Sequence, residues 1–190
     1  DLTNHDFLIG SAETGKPLIC STGMSKEYEI KLALDLFQKK GTVFSLLHCN
    51  STYPAPFKDI NLNYISRLKQ LGSCPVGYSG HERGIFIPIA AVAKGAKIIE
   101  KHFTLDRNME GNDHRVSLLP GEVTDMVRGI REVELSLDGS DRGKNITQGE
   151  LINRENLAKS LVINQRLKKG DIITGSMIDV RSPGKGLEPY

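Results

Sequence analysis

Apolar residues in this chain come in short runs that end in polar side chains, and each run is followed by a stretch whose apolar residues recur every three or four positions. Strands are expected at 17–21 and 42–47, in a third run ending at Ser79, and in a fourth beginning at Ile98. Helices are expected at 6–13, 25–40, 61–71, 85–94 and 120–137. In 25–40 the apolar face is Ile30, Ala33, Leu34 and Phe37, and Lys39-Lys40-Gly41 supplies terminal cations and a C-cap glycine. Pro120 and Glu122 mark the start of the last helix, and Met126, Val127, Ile130, Val133 and Leu137 give it a buried face. A short strand followed by a helix, four times over, is the pattern of α/β folds: half of an eight-stranded barrel or part of a doubly wound sheet.

The pattern changes after residue 137. Residues 138–156 are rich in Gly, Ser, Asp, Lys and Asn at their start and are expected to form a linker. Residues 157–190 read as part of a small β-rich module, with strands at 160–163 and 172–174, a turn at 168–171 and a helical turn at 175–178. The chain starts at Asp1 without a methionine, and half a barrel has open edges, so a piece of a longer protein is expected.

Charge and cysteine content narrow the function classes. Lys+Arg 25 against Asp+Glu 23 leaves a net charge of +2 and no basic run longer than two residues, so no nucleic-acid partner is expected. Cys20, Cys49 and Cys74 are too scattered for a disulfide framework or a structural zinc site, which makes a cytoplasmic location the expectation. No run approaches the ~20 apolar residues of a membrane span.

In a barrel the functional groups gather where the strands end, and here those ends supply Ser21, His48, Ser79, His81 and His102. Any one of these histidines could simply bond to loop backbone. As a set they suggest imidazoles around a divalent ion with open positions for substrate. Glu100 either handles protons and orients an imidazole, or forms an ion pair with Lys101. Ser21 and Thr22 beside Gly23 could donate to a phosphate, though the same residues make an ordinary turn.

Taken together, Ser21-Thr22-Gly23-Met24, Leu47-His48-Cys49-Asn50-Ser51-Thr52-Tyr53-Pro54, Gly77-Tyr78-Ser79-Gly80-His81-Glu82, Glu100-Lys101-His102-Phe103-Thr104-Leu105-Asp106 and Asp113-His114 resemble the sialic acid synthase family. The resemblance implies a TIM (β/α)8 barrel of which residues 1–137 hold strands five to eight, joined to an antifreeze-like (SAF) domain that begins near residue 157. It implies condensation of phosphoenolpyruvate with an N-acetylated hexosamine such as N-acetylmannosamine, giving a nine-carbon 2-keto sugar acid and phosphate. His81 and His102 would hold Mn²⁺ or Mg²⁺, and Ser21 and Ser79 phosphoenolpyruvate. Ser51, Tyr53, Asp113 and Arg181 would face the substrates, while Glu100 and His48 would complete the catalytic set, His48 as a non-ligand beside the metal. The resemblance also implies a homodimer with exchanged SAF domains. Where sialic acid enzymes carry an arginine directly before Pro-Gly, this chain has Ser182, with Arg181 one residue earlier; legionaminic, pseudaminic and spore-coat sugars therefore stay open as products. Another phosphoenolpyruvate-using barrel synthase and a non-catalytic carbohydrate-binding relative are the competing readings.

Overall fold

The computed structural model describes residues 1–139 and 143–190. It has two compact units, Asp1–Gly139 and Ser140–Tyr190. The first opens with α1 (His5–Glu13) and then alternates: β1 (Leu18–Ser21), α2 (Glu27–Lys40), β2 (Phe44–Cys49), α3 (Tyr64–Gly72), β3 (Val76–Gly80), α4 (Phe86–Ala93), β4 (Ile99–Lys101) and α5 (Pro120–Leu137). All strand neighbours are parallel, in the order β1-β2-β3-β4. Each connection therefore adds the next strand on the same side. Since strand–helix–strand crossovers are right-handed, repeated steps in one direction put the helices on one face of the sheet. A doubly wound sheet would reverse its order at a switch point, and this one does not.

The helix-covered face holds the core. Leu46, Val76 and Tyr78 meet Ile30, Ala33, Leu34 and Phe37 of α2 and Ile65 and Leu68 of α3. Phe37 is fully buried and packs 5.2 Å, ring to ring, from Phe44. Gly41 ends α2 in the left-handed conformation, at φ 64°, that glycine adopts without strain. On the opposite face, Gly77 lets β3 and the chain before β4 approach closely, because a Cβ there would collide with the backbone oxygen of Ile98. Phe37→Ala is expected to cost about 3–5 kcal/mol of stability, read as a lower urea midpoint with an unchanged slope.

The second unit contains α6 (Gln148–Leu157) and an antiparallel pair, β5 (Ser160–Ile163) and β6 (Ile178–Arg181). The Ser160 hydroxyl donates to the Pro183 carbonyl at 2.6 Å and accepts the Gly186 N–H at 2.9 Å. Two expectations change here. Part of the linker expected over 138–156 falls on 140–142, outside the described residues, and its second half is helix α6. Thr147 caps that helix, accepting the Glu150 N–H at 3.3 Å while the Glu150 carboxylate accepts the Thr147 N–H at 2.9 Å. The strand expected at 172–174 does not form: Ile172 is 83% exposed and that segment pairs with no strand. No helix among the described residues is long and apolar enough to cross a membrane.

Candidate functional site

Residues paired across a parallel sheet share a face, so the register sorts the polar strand ends. Cys49 is level with Ser79, and Ser79 with Glu100. This row lies on the face away from the helices, at the C-terminal ends of the strands. Ser21 is on the same face one layer lower, paired with Leu47. Ser79 donates to the Glu100 carboxylate at 2.7 Å. The hydroxyl is thus oriented by Glu100, which is not the partner of Lys101.

His48 is paired with Tyr78 and faces the helices. Its Nε2 donates to the Ile60 carbonyl at 2.5 Å, and its ring lies 5.6 Å from that of Tyr64 and 6.0 Å from that of Tyr78. Burial lowers its pKa, favouring the neutral ring, against the opposing pull of loop carbonyls. This corrects the catalytic role expected of His48: the one-residue alternation of a strand puts it on the wrong side for the site, and it anchors the loop before α3.

His81 and His102 follow adjacent strands, and their rings stand 5.2 Å apart, edge to face. The Nδ1 of His81 lies 2.8 Å from the Asn50 carbonyl oxygen. A carbonyl can only accept, so Nδ1 carries the proton and Nε2 of the neutral ring keeps a lone pair. That lone pair meets the Tyr53 hydroxyl at 2.8 Å. Tyr53 also stands edge-on to His102, with ring centres 5.4 Å apart. The Nδ1 of His102 is 3.7 Å from the Asp113 carboxylate.

Close contacts between loops hold this cluster. The Cys49 thiol touches His81 Nδ1 at 3.6 Å and the Ser51 hydroxyl at 3.5 Å. Burial raises the pKa of Cys49, but His81, Ser21 and Ser51 together outweigh that and bring it down to about 7. For His81, burial opposes the charged form, and contacts to Cys49 and the Asn50 carbonyl reverse the sign and raise its pKa. Gly23 is packed so tightly on this loop that a Cβ would overlap the Ser51 hydroxyl and stand 2.9 Å from the Cys49 sulfur. Ser21, Ser51, Tyr53, Ser79, His81, Glu100, His102 and Asp113 thus belong to one unit and one end of its sheet. Arg181 belongs to the other unit, where its guanidinium bonds to Asp179.

Sequence reasoning missed a buried trio beneath the site. Glu82 is fully buried and accepts hydrogen bonds from the Tyr78 hydroxyl at 2.5 Å and the Lys101 ammonium at 2.9 Å. Lys101 also donates to the Glu82 carbonyl. Burial lowers the Lys101 pKa and Glu82 opposes that, while burial and then Glu82 raise that of Tyr78. Glu82 and Lys101 each adjoin one histidine in sequence, so the pair clamps the ends of β3 and β4 together. The available signal was the parity of Lys101 in its strand, which turns it away from its neighbour Glu100.

The donor set fits a divalent ion in part. His81 has the tautomer that keeps a lone pair on Nε2, fixed by a backbone carbonyl on its other nitrogen as metal-binding histidines usually are, and an ion bound there would displace the Tyr53 hydroxyl from it. Among the described residues no group of three His, Cys, Asp or Glu side chains converges as a full ligand set. Two imidazoles with the remaining positions open suit a catalytic ion and not a structural one.

The NeuB family profile matches residues 1–142. The chain is 40% identical over 190 residues to the N,N'-diacetyllegionaminic acid synthase of Campylobacter jejuni, an alignment covering 98% of this chain and 56% of that protein. It is 39% identical over 191 residues to the human N-acetylneuraminate-9-phosphate synthase, covering 100% of this chain and 53% of the relative. The crystal structure of N-acetylneuraminic acid (sialic acid) synthetase from Leptospira borgpetersenii, in complex with citrate, superimposes with a TM-score of 0.74 at 38% identity, over 80% of this chain and 54% of that one. The chain thus spans a little over half the length of these relatives.

Proposed function

Because the chain belongs to the NeuB family, the family of the sialic acid synthases, we propose that it is the C-terminal half of the TIM barrel of such a synthase, with the start of an SAF domain from residue 157. The whole protein condenses phosphoenolpyruvate with an N-acetylated hexosamine, forming a nine-carbon 2-keto sugar acid and phosphate. One observation carries this reading: the paired imidazoles of His81 and His102 and the Glu100-bound hydroxyl of Ser79 all come at the C-terminal ends of two adjacent parallel strands, β3 and β4.

Each side chain then has a task. Ser21 and Ser79 bind phosphoenolpyruvate. Glu100, held by Ser79, takes up or returns a proton as charge shifts on the substrate. Tyr53 and Ser51 face the substrates from the loop after β2, and Asp113 and Arg181 bind the sugar. In the reaction C3 of phosphoenolpyruvate attacks the aldehyde carbon of the sugar, so a carbon–carbon bond forms and the aldehyde oxygen becomes a hydroxyl. Water adds at C2, and collapse of that tetrahedral centre breaks the C–O bond and releases phosphate. His81 and His102 would hold Mn²⁺ or Mg²⁺, which when bound supplies Lewis acidity toward the aldehyde oxygen.

The test is phosphate release by the full-length protein from phosphoenolpyruvate, with N-acetylmannosamine or diacetylated bacterial hexosamines as acceptor. Release is expected with one of them, and chelation is expected to abolish it until Mn²⁺ is restored. A protein that binds metal but releases no phosphate with any acceptor would refute the reading. The same preparation is expected to sediment as a homodimer, the state in which SAF domains can be exchanged.

A further inference from the structure

The Asp113 carboxylate has no anchor of its own. Its side chain is 65% exposed, and its approach of 3.7 Å to the His102 Nδ1 is too long for a hydrogen bond. Among the described residues no other donor reaches that carboxylate; the one side chain bonded to Asp113, Ser117, binds its backbone carbonyl. The place of the carboxylate beside the imidazole is therefore set by the backbone of the turn Asp113–Arg115 that carries it. That turn follows residues 108–112, all of them exposed, and an exposed loop keeps its shape only where contacts tie it down.

Two buried side chains supply the ties. Thr104 is 3% exposed and Ser117 2%. The Ser117 hydroxyl donates to the Asp113 carbonyl at 2.7 Å. Thr104 lies two residues beyond His102, and this segment is stitched to the far end of the loop: the Leu118 N–H donates to the His102 carbonyl at 2.8 Å and the Thr104 N–H to the Leu118 carbonyl at 3.0 Å. The Thr104 hydroxyl then stands 2.9 Å from the Asp106 carbonyl and 2.7 Å from Nδ1 of His114. A hydroxyl has one proton and a carbonyl can only accept, so that proton goes to Asp106, and His114 is the donor, from Nδ1. The link closes a circuit. It runs from His102 to Thr104 along the chain, across to the His114 ring, back one residue to Asp113, and from there over the site to His102.

We propose that His114 is a positioning residue for the condensation, which through Thr104 fixes the Asp113 carboxylate where the acceptor sugar meets it. The proposal rests on the condensation reading and deepens it: the donor on Nδ1, and not the bulk of the ring, governs acceptor binding. The groups assigned to phosphoenolpyruvate do not hang on this link, since Ser21 belongs to β1 and Ser79 to β3. His102 is held by its own backbone bond to Leu118.

The experiment compares the full-length protein with His114→Ala, His114→Asn, His114→Gln and Thr104→Val, using the acceptor hexosamine that supports phosphate release. His114→Ala is expected to raise the KM of the acceptor about tenfold, the order of effect of stranding one buried polar group. The KM of phosphoenolpyruvate and the Mn²⁺ affinity should move less than about twofold. The amide of asparagine puts an N–H near the place of Nδ1, whereas that of glutamine reaches toward the place of Nε2, so Asn should restore most of the loss and Gln should not. Thr104→Val breaks the same link without touching the ring; combined with His114→Ala it should add less than about twofold to either single effect. Equal rises in the KM of both substrates, or an Asn variant as impaired as the Ala variant, would overturn the proposal. If no acceptor supports phosphate release, the condensation reading fails separately, and amide hydrogen exchange still decides the positioning. The Val116 and Ser117 amides donate to the Asp113 and His114 carbonyls at 3.2 and 3.3 Å. They should exchange at least about tenfold faster in His114→Ala and return toward the unsubstituted rate in His114→Asn. Exchange that His114→Ala leaves unchanged removes the proposal.

Discussion

Replacing Glu82 by alanine is expected to destabilise the first unit by about 3–5 kcal/mol, the usual cost of stranding one member of a buried ion pair. The Lys101 side chain is 4% exposed and that of Glu82 0%, so no solvent replaces the lost partner. The Tyr78 hydroxyl loses its acceptor in the same step. A loss of this size is a large fraction of the roughly 5–15 kcal/mol by which domains are stable. Glu82→Gln keeps an oxygen for Tyr78 and removes only the charge, so it should fall between the wild type and Glu82→Ala. The cause is separable from mere truncation. Glu82→Met combined with Lys101→Met and Tyr78→Phe removes every polar member at once and should recover most of the loss, because an apolar replacement of a buried pair is often neutral. Urea denaturation of the single and combined variants reads this directly. A triple variant as unstable as the sum of its parts would show that Glu82 acts through shape and not through charge.

The trio illustrates which parts of the molecule the sequence makes visible. Strand and helix positions were legible because a half-buried βα repeat imposes its periods wherever the chain goes. The family motifs likewise mark Ser79, His81, Glu100 and His102 without reference to coordinates. What the linear reading did not use was parity. Glu100 and Lys101 are neighbours in the chain, yet in a strand they point to opposite faces, so one meets Ser79 and the other Glu82. The same alternation separates His48 from Cys49. His48 ends a strand as the other candidates do, but it is level with Tyr78 and looks toward α3. Helix α6 was hidden for a different reason: its composition is polar and none of its residues is buried. Its start was nonetheless written in Thr147 and Glu150, three residues apart. Ile172 and Ile173 have the composition of a strand, but a strand also needs a partner to accept its hydrogen bonds, and composition does not supply one.

On the proposed function, His81→Ala and His102→Ala should each lower the phosphate-release rate of the full-length protein by at least about a hundredfold. Losing only a residue that orients a metal ligand typically costs 10–100-fold, and these are the ligands themselves under this reading. The two variants should also differ from each other in a way that the geometry dictates. His81 is bound through Nδ1 to the loop after β2 and through Nε2 to Tyr53, so its removal loosens Asn50 and Tyr53 as well. His102 has a longer approach, 3.7 Å, to an exposed Asp113 carboxylate, and its loss disturbs less around it. His81→Ala should therefore raise the KM of the acceptor sugar in addition to lowering the rate, whereas His102→Ala should act mainly on the rate. Mn²⁺ affinity, followed by the loss of the free-ion resonance signal, should fall in both. Tyr53→Phe separates these effects, since it keeps both imidazoles and removes only the hydroxyl that meets Nε2. It should retain Mn²⁺ binding, and the rate should drop less than in either histidine variant. If Mn²⁺ binding persists unchanged in both histidine variants, the two rings do not hold the ion, and their closeness then serves only to pack the ends of two strands.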